Sequence, residues 1–182
     1  MQFFAGIGLH VEIVPGARGF IEGVCVVNGG LHVDPGARAS GLLHEAGHLA
    51  IVPNAYRHHL NGDLDEGMGR IFEEVDALGL EHDDPLLRAM LQTGDPEATA
   101  WAWAAGMALG MPAAKVIQND EYGGDGAFIR SALAANSYVG INGISHAGFC
   151  VVRANPYRKL PVYPGMAFWL QGASAREAEA GL

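Results

Sequence analysis

The stretch "GLLHEAGHLAIVP", residues 41–53, constrains this chain more than any other feature of the sequence. It places His44, Glu45 and His48 in a HExxH arrangement inside an apolar run that no proline interrupts before Pro53. On an α-helix, residues four apart are rotated by about 40° and stand one turn apart. His44 and His48 then project from one face and can share an ion through their ring nitrogens, with Glu45 beside that face. Apolar neighbours on both sides make the helix a buried one. A buried face carrying three polar groups is costly unless something satisfies them, and a metal ion does so. The chemistry explains the spacing: two imidazoles hold zinc, which lowers the pKa of a bound water, and the carboxylate between them takes its proton.

The rest of the chain sets the frame for that helix. A length of 182 residues fits one domain with its own core, and 49% hydrophobic residues suit a globular protein. The formal charge of −9 argues against a nucleic-acid partner, which needs a positive surface. Cys25 and Cys150, in "VCVV" and "FCVV", read as buried thiols rather than a disulfide framework or a metal site. The first twenty residues lack the basic and apolar regions of a leader, and no segment approaches the ~20 apolar residues of a membrane helix. A cytoplasmic location without membrane association is therefore expected, while oligomeric state is not legible.

Residues 1–35 read as β-structure. "LHVEIVP" alternates, "GFIEGVCVV" carries a β-branched run, and Asn28-Gly29-Gly30 joins two strands as a hairpin. The expected fold is α+β: a small antiparallel sheet over residues ~9–34, followed by a helical zincin-like core built on the HExxH helix. After a polar loop at 54–69, helical periodicity resumes in "RIFEEVDALGLE" and "DDPLLRAMLQTG". In "GDPEATAWAWAAGMALGMP", Asp95 is the expected N-cap and Pro96 the first helical residue, with Gly110 and Pro112 closing the helix. Short helices are expected in "AAKVIQND" and "AFIRSALAANSYV". The segment up to Gly172 reads as coil wrapping the core, and residues 173–182 as a loose or helical tail.

A catalytic zinc site needs a third protein ligand. The metzincin pattern fails, because its glycine and histidine positions are occupied by Ile51 and Asn54. Glu97 is the expected ligand, since it lies in the first turn of a helix whose small residues, Ala100 and Ala104, allow close packing against the HExxH helix. Asp95 is a competitor whose capping duty already accounts for it. His58 and His59, expected to be solvated loop residues, come after. For the oxyanion that develops in peptide hydrolysis, "NSYVGINGISHAGFC" offers Tyr138 and His146 across a Gly-rich turn, with Tyr122 as a weaker third.

The order of these elements resembles that of ImmA/IrrE-type metallopeptidases. The strand "GGLHVDP" is followed by "ARASGLLHEAGHLAIVP" and then by a helix reading ExxAxxWA, closed by Met111-Pro112. The resemblance spans roughly residues 28–112 and implies a gluzincin-type site, in which His44, His48 and Glu97 bind zinc and Glu45 is the base. Trp103 takes the place of the family's Phe. Two departures are visible: the separation from His48 to Glu97 is long, and the Met-Pro pair comes late. The expectation is a zinc-dependent metallopeptidase acting on a peptide or protein. The alternative is a non-catalytic zinc-binding interaction domain of the same fold.

Overall fold

The computed structural model describes residues 1–172, and the expectation of a loose or helical tail at 173–182 lies outside the described residues. The fold is α+β, with a small three-stranded sheet and eight α-helices among these residues.

The N-terminus departs from the β reading. Gln2–Ile7 forms a helix, α1, that ends at Gly8 with φ 82°. Its cause is tertiary. Phe4 is buried, and the Phe3 ring meets Trp169 edge-on at 5.1 Å and Trp101 at 6.3 Å. The strands that follow are β1 (Val11–Ile13), β2 (Val24–Val27) and β3 (Gly30–Val33). The turn between β2 and β3 is the expected one: Asn28 and Gly29 take φ of 48° and 74°, the pair of positive values a two-residue hairpin turn requires.

The sheet is mixed, which corrects the antiparallel expectation. Its order is β1-β3-β2, with β3 antiparallel to β2 but parallel to β1. Residues 14–23 carry the chain across to the far edge before β2 runs back, so the hairpin inserts β3 between the two and aligns it with β1. Alternation decides the faces. Val24, Val26, Leu31 and Val33 enter the core, while Cys25 and His32 point to the other side and are only half-buried. Cys25 is therefore not the buried thiol the sequence implies. Cys150 is, and burial pushes its thiol up to about 11.

The core gathers around α2 (Ala39–Ile51) and α5 (Asp95–Ala108). Both are buried nearly all round, and Trp101, Leu49 and Ile51 are among the largest fully enclosed side chains. The two backbones meet at Gly47, where an added Cβ would lie 2.5 Å from the Ala98 carbonyl oxygen. That close approach brings one face of α2 up to the N-terminal turn of α5.

The C-terminal end of α2 is closed by Arg57, from the short 3-10 turn Arg57–His59. Its buried guanidinium donates from Nε to the Leu49 carbonyl at 2.6 Å and from an Nη to the Val52 carbonyl at 3.2 Å. These are carbonyls the helix end leaves without partners. Burial lowers the guanidinium to about 10, still far above neutrality. The coil at the chain's end lies over the same place: Gln171 N–H donates to Ala50 O, and Trp101 Nε1 donates to Trp169 O.

The remaining helices flank this pair. They are α3 (Leu64–Asp76), α4 (Pro85–Met90), α6 (Ala113–Val116), α7 (Gly126–Ala134) and α8 (Val139–His146). The stretch expected as a Gly-rich turn near Tyr138 is thus largely helix. Gly140 and Gly143 explain why: a side chain at the first would strike the Pro96 carbonyl, and at the second the Glu97 carboxylate. The glycines serve the packing of α8 on α5 rather than a bend. No helix among the described residues is long and apolar enough to cross a membrane.

Candidate metal centre

His44 and His48 occupy the face of α2 that meets α5, and the group opposite them is Asp95. His44 Nε2 lies 3.3 Å from Asp95 Oδ1, His48 Nε2 lies 3.2 Å from the same oxygen, and the two Nε2 atoms are 3.2 Å apart. Three potential ligand atoms thus form a nearly equilateral triangle. Among the described residues this is the one cluster of three or more His, Cys, Asp or Glu side chains close enough to hold an ion. The hydrogen bonds to His44 and then His48 hold the Asp95 carboxyl well below the usual carboxylate range.

Asp95 reaches the pair because it does not cap its helix. Gly94 is the N-cap, Asp95 is the first helical residue, and Pro96 the second. Shifted by one position from the expected start, Asp95 points its carboxylate across to α2 instead of back onto its own amides. Glu97 lies elsewhere. Its carboxylate is packed against Gly94 and against Gly143 of α8. Burial raises its pKa, with the backbone amides of Glu97 and Gly94 acting in the opposite direction. The expected grouping of Glu97 with His44 and His48 is not the one the fold makes.

Glu45 is 4% exposed, and its carboxylate forms no hydrogen bond among the described residues. Burial raises its pKa, and the neighbouring His48 and His44 partly offset that. Its oxygens are not among the fully enclosed polar atoms without a partner, so the carboxylate of this otherwise buried residue keeps an edge open to solvent beside the two histidines.

A further layer backs the histidines. The Tyr122 hydroxyl lies 3.3 Å from His44 Nδ1 and 3.0 Å from Thr99 Oγ1. With His44 Nε2 donating to the Asp95 carboxylate, Nδ1 of the neutral ring accepts from the Tyr122 O–H, and Thr99 Oγ1 donates to Tyr122; with Nε2 given to a metal ion instead, Nδ1 would carry the proton and Tyr122 would accept it. Outer partners of this kind fix the orientation and tautomer of a ligating imidazole. Tyr122 adopts φ 55°, rare for an aromatic residue, followed by two glycines also at positive φ. Burial pushes its hydroxyl up to about 12. Thr99 sits one turn beyond Asp95 and is fully buried.

Of the two groups expected at the oxyanion, Tyr138 stands directly before α8, half-buried, and burial raises its pKa. The Thr99 hydroxyl offsets that rise while the negative charges of Asp95 and Glu97 add to it. His146 is the last residue of α8, and its ring makes no hydrogen bond among the described residues. His58 and His59 stack on each other at 4.0 Å, and His59 pairs with Glu74 at 3.0 Å, away from the triangle.

His44, Asp95 and Tyr122 open into a groove of about 1180 Å³ that runs along the start of α2 to the loop at 14–23. The sequence held one signal for the arrangement: Asp95 and Thr99 are four residues apart on a helix whose only other charged or hydroxyl-bearing residue is Glu97. The chain matches no family model, no curated protein and no solved structure.

Proposed function

We propose that the chain is a zinc-dependent metallopeptidase in which His44, His48 and Asp95 hold the ion and Glu45 is the general base. The observation that carries this reading is the triangle of Nε2, Nε2 and Oδ1. A tetrahedral ion with bonds of about 2.0 Å sets its ligands about 3.3 Å apart, and the three sides measure 3.2, 3.2 and 3.3 Å. The donor set, two imidazoles and one carboxylate, suits zinc. A zinc ion bound there supplies Lewis-acid polarisation of the scissile carbonyl and lowers the pKa of water.

The chain's own residues do the rest. Glu45 accepts a proton from the attacking water and returns it to the leaving amine, a task suited to a carboxylate whose pKa burial has raised. Tyr122 and Thr99 hold His44 in register. We assign the support of the oxyanion to Tyr138, whose hydroxyl feels the Asp95 charge. Three protein ligands rather than four leave a position for substrate, which favours hydrolysis over a purely structural zinc site.

The resemblance to ImmA/IrrE-type metallopeptidases rests on the quoted motifs alone, and with an aspartate facing the histidines the ligand set is no longer of the gluzincin type. Two free thiols suit a reducing compartment, so we place the protein in the cytoplasm.

The test is hydrolysis of a mixed peptide pool by purified protein before chelation, after it, and after one equivalent of zinc is returned. Cleavage should vanish with the chelator and return with zinc. Cleavage that persists after chelation sinks the reading.

A further inference from the structure

The loop between β1 and β2 is braced at both ends. At its base the Asp34 carboxylate accepts from the amides of Gly16 at 2.6 Å and Gly36 at 2.7 Å, while Asp34 N–H donates to Gly23 O at 2.8 Å. Nearer the tip, a side chain at Gly19 would collide with the Val24 carbonyl of β2, and Ile21 fills the space above Gly41 of α2. Between those two braces stands Phe20, 98% exposed. Covering that ring would be worth about 1.5–3 kcal/mol, so a partner seated on it gains from the contact. The ring borders the same groove into which His44 and Asp95 open. The main-chain amides and carbonyls of Arg18, Gly19 and Phe20 also form no hydrogen bond among the described residues. One wall of the groove therefore offers an apolar ring beside main-chain groups that pair with nothing else among the described residues; residues 19–20 bend, so these groups offer a peptide backbone individual hydrogen bonds rather than a strand edge.

We propose that Phe20 is the apolar anchor of a peptide-binding groove: a large apolar side chain of an extended substrate segment packs on its ring, while the segment's backbone pairs with Arg18, Gly19 and Phe20. The groove leads along the first turns of α2 to His44, so a segment held this way lies across the candidate metal centre. This assignment rests on the metallopeptidase reading for its substrate class and names the feature of the substrate that is recognised. At about 1180 Å³ the groove exceeds the about 300–1,000 Å³ of a small-molecule pocket, in keeping with a chain segment as its occupant.

The test uses fluorescein-labelled alanine-serine octapeptides carrying one leucine, phenylalanine or glutamine at each position in turn. Binding is measured by anisotropy to zinc-loaded Glu45→Gln protein, alone and combined with Phe20→Ser or Phe20→Leu. Cleavage of the same peptides is followed with wild type and with Phe20→Ser. Because Phe20 makes no buried contact, both Phe20 variants should melt with the parent. Leucine and phenylalanine peptides should bind about tenfold more tightly than glutamine peptides, and Phe20→Leu should keep most of that preference. Phe20→Ser should reduce it to less than about twofold. A preference that survives Phe20→Ser, or no peptide binding at all, overturns the assignment. Peptides bound with a Phe20-dependent preference but never cut by wild type uphold the groove and sink the hydrolytic reading. Peptides cut equally well with and without Phe20 do the reverse.

Discussion

Two helices of thirteen residues each, α2 and α3, use polar side chains in opposite ways. α3 buries Gly67, Ile71 and Val75 and turns its acids outward, where Asp63 caps its first turn and Glu66 pairs with Arg70. Its polar groups stand at the surface, as a cap or in ion pairs, Glu74 with His59 among them. α2 buries nine residues, Glu45 among them, and its two histidines converge on an aspartate from another helix. Nothing about helix stability calls for that arrangement. The contrast separates a solvated face from a candidate site: polar groups on α3 can be exchanged at little cost, whereas those on α2 converge on a group that could hold a metal ion.

The sharpest way to break the contrast is to exchange one glutamate on each helix for glutamine. Glu45→Gln should lower peptide hydrolysis by about 10²–10⁴-fold, the usual contribution of a general acid-base group, with zinc retained. Glu66→Gln should leave the rate within about twofold, since its partner is an exposed arginine. Equal rates for wild type and Glu45→Gln would remove Glu45 from the mechanism. Behind the histidines, Tyr122→Phe should weaken zinc binding by about 10–100-fold, as loss of an outer partner does. Affinity unchanged in a competition titration would reduce Tyr122 to packing.

Glycines extend the comparison to stability. Gly47→Ala on α2 should destabilise by about 1–3 kcal/mol in urea unfolding, because the new methyl meets the Ala98 carbonyl. Gly69→Ala on α3, where nothing lies within 4 Å, should instead stabilise by about 0.5–1 kcal/mol through helix propensity. The smallest effect belongs to Arg70→Ala, which should cost less than about 0.5 kcal/mol. Opposite signs at the two glycines would support the close α2–α5 approach, and equal signs would contradict it.

How far these features could be read from sequence follows from how local their causes are. The hairpin turn was legible in Asn28-Gly29 because positive φ at two positions is a property of those residues themselves. HExxH was legible because a helix repeats every 3.6 residues. The helices α1 and α8 were not, since Phe3 turns toward Trp169 and Gly143 admits Glu97 only once distant parts of the chain have met. The parallel pairing of β1 with β3 likewise depends on where the 14–23 crossing delivers the chain. Asp95 shows the same limit at the site. Asp-Pro at a helix start reads as a cap, and a shift of one residue in that start turns the same carboxylate across to His44 and His48. Glu97, chosen for its place in the first turn, is held instead by the packing of α8.

On the proposed reading, Asp95 completes a metal site with the HExxH histidines. The most direct measurement is the zinc content of natively purified wild type, Asp95→Ala and Glu97→Gln, each confirmed folded by circular dichroism. Wild type and Glu97→Gln should each carry about one zinc per chain, and Asp95→Ala little or none. Zinc lost from Glu97→Gln but kept by Asp95→Ala, or absent from wild type even after zinc is added, would contradict it.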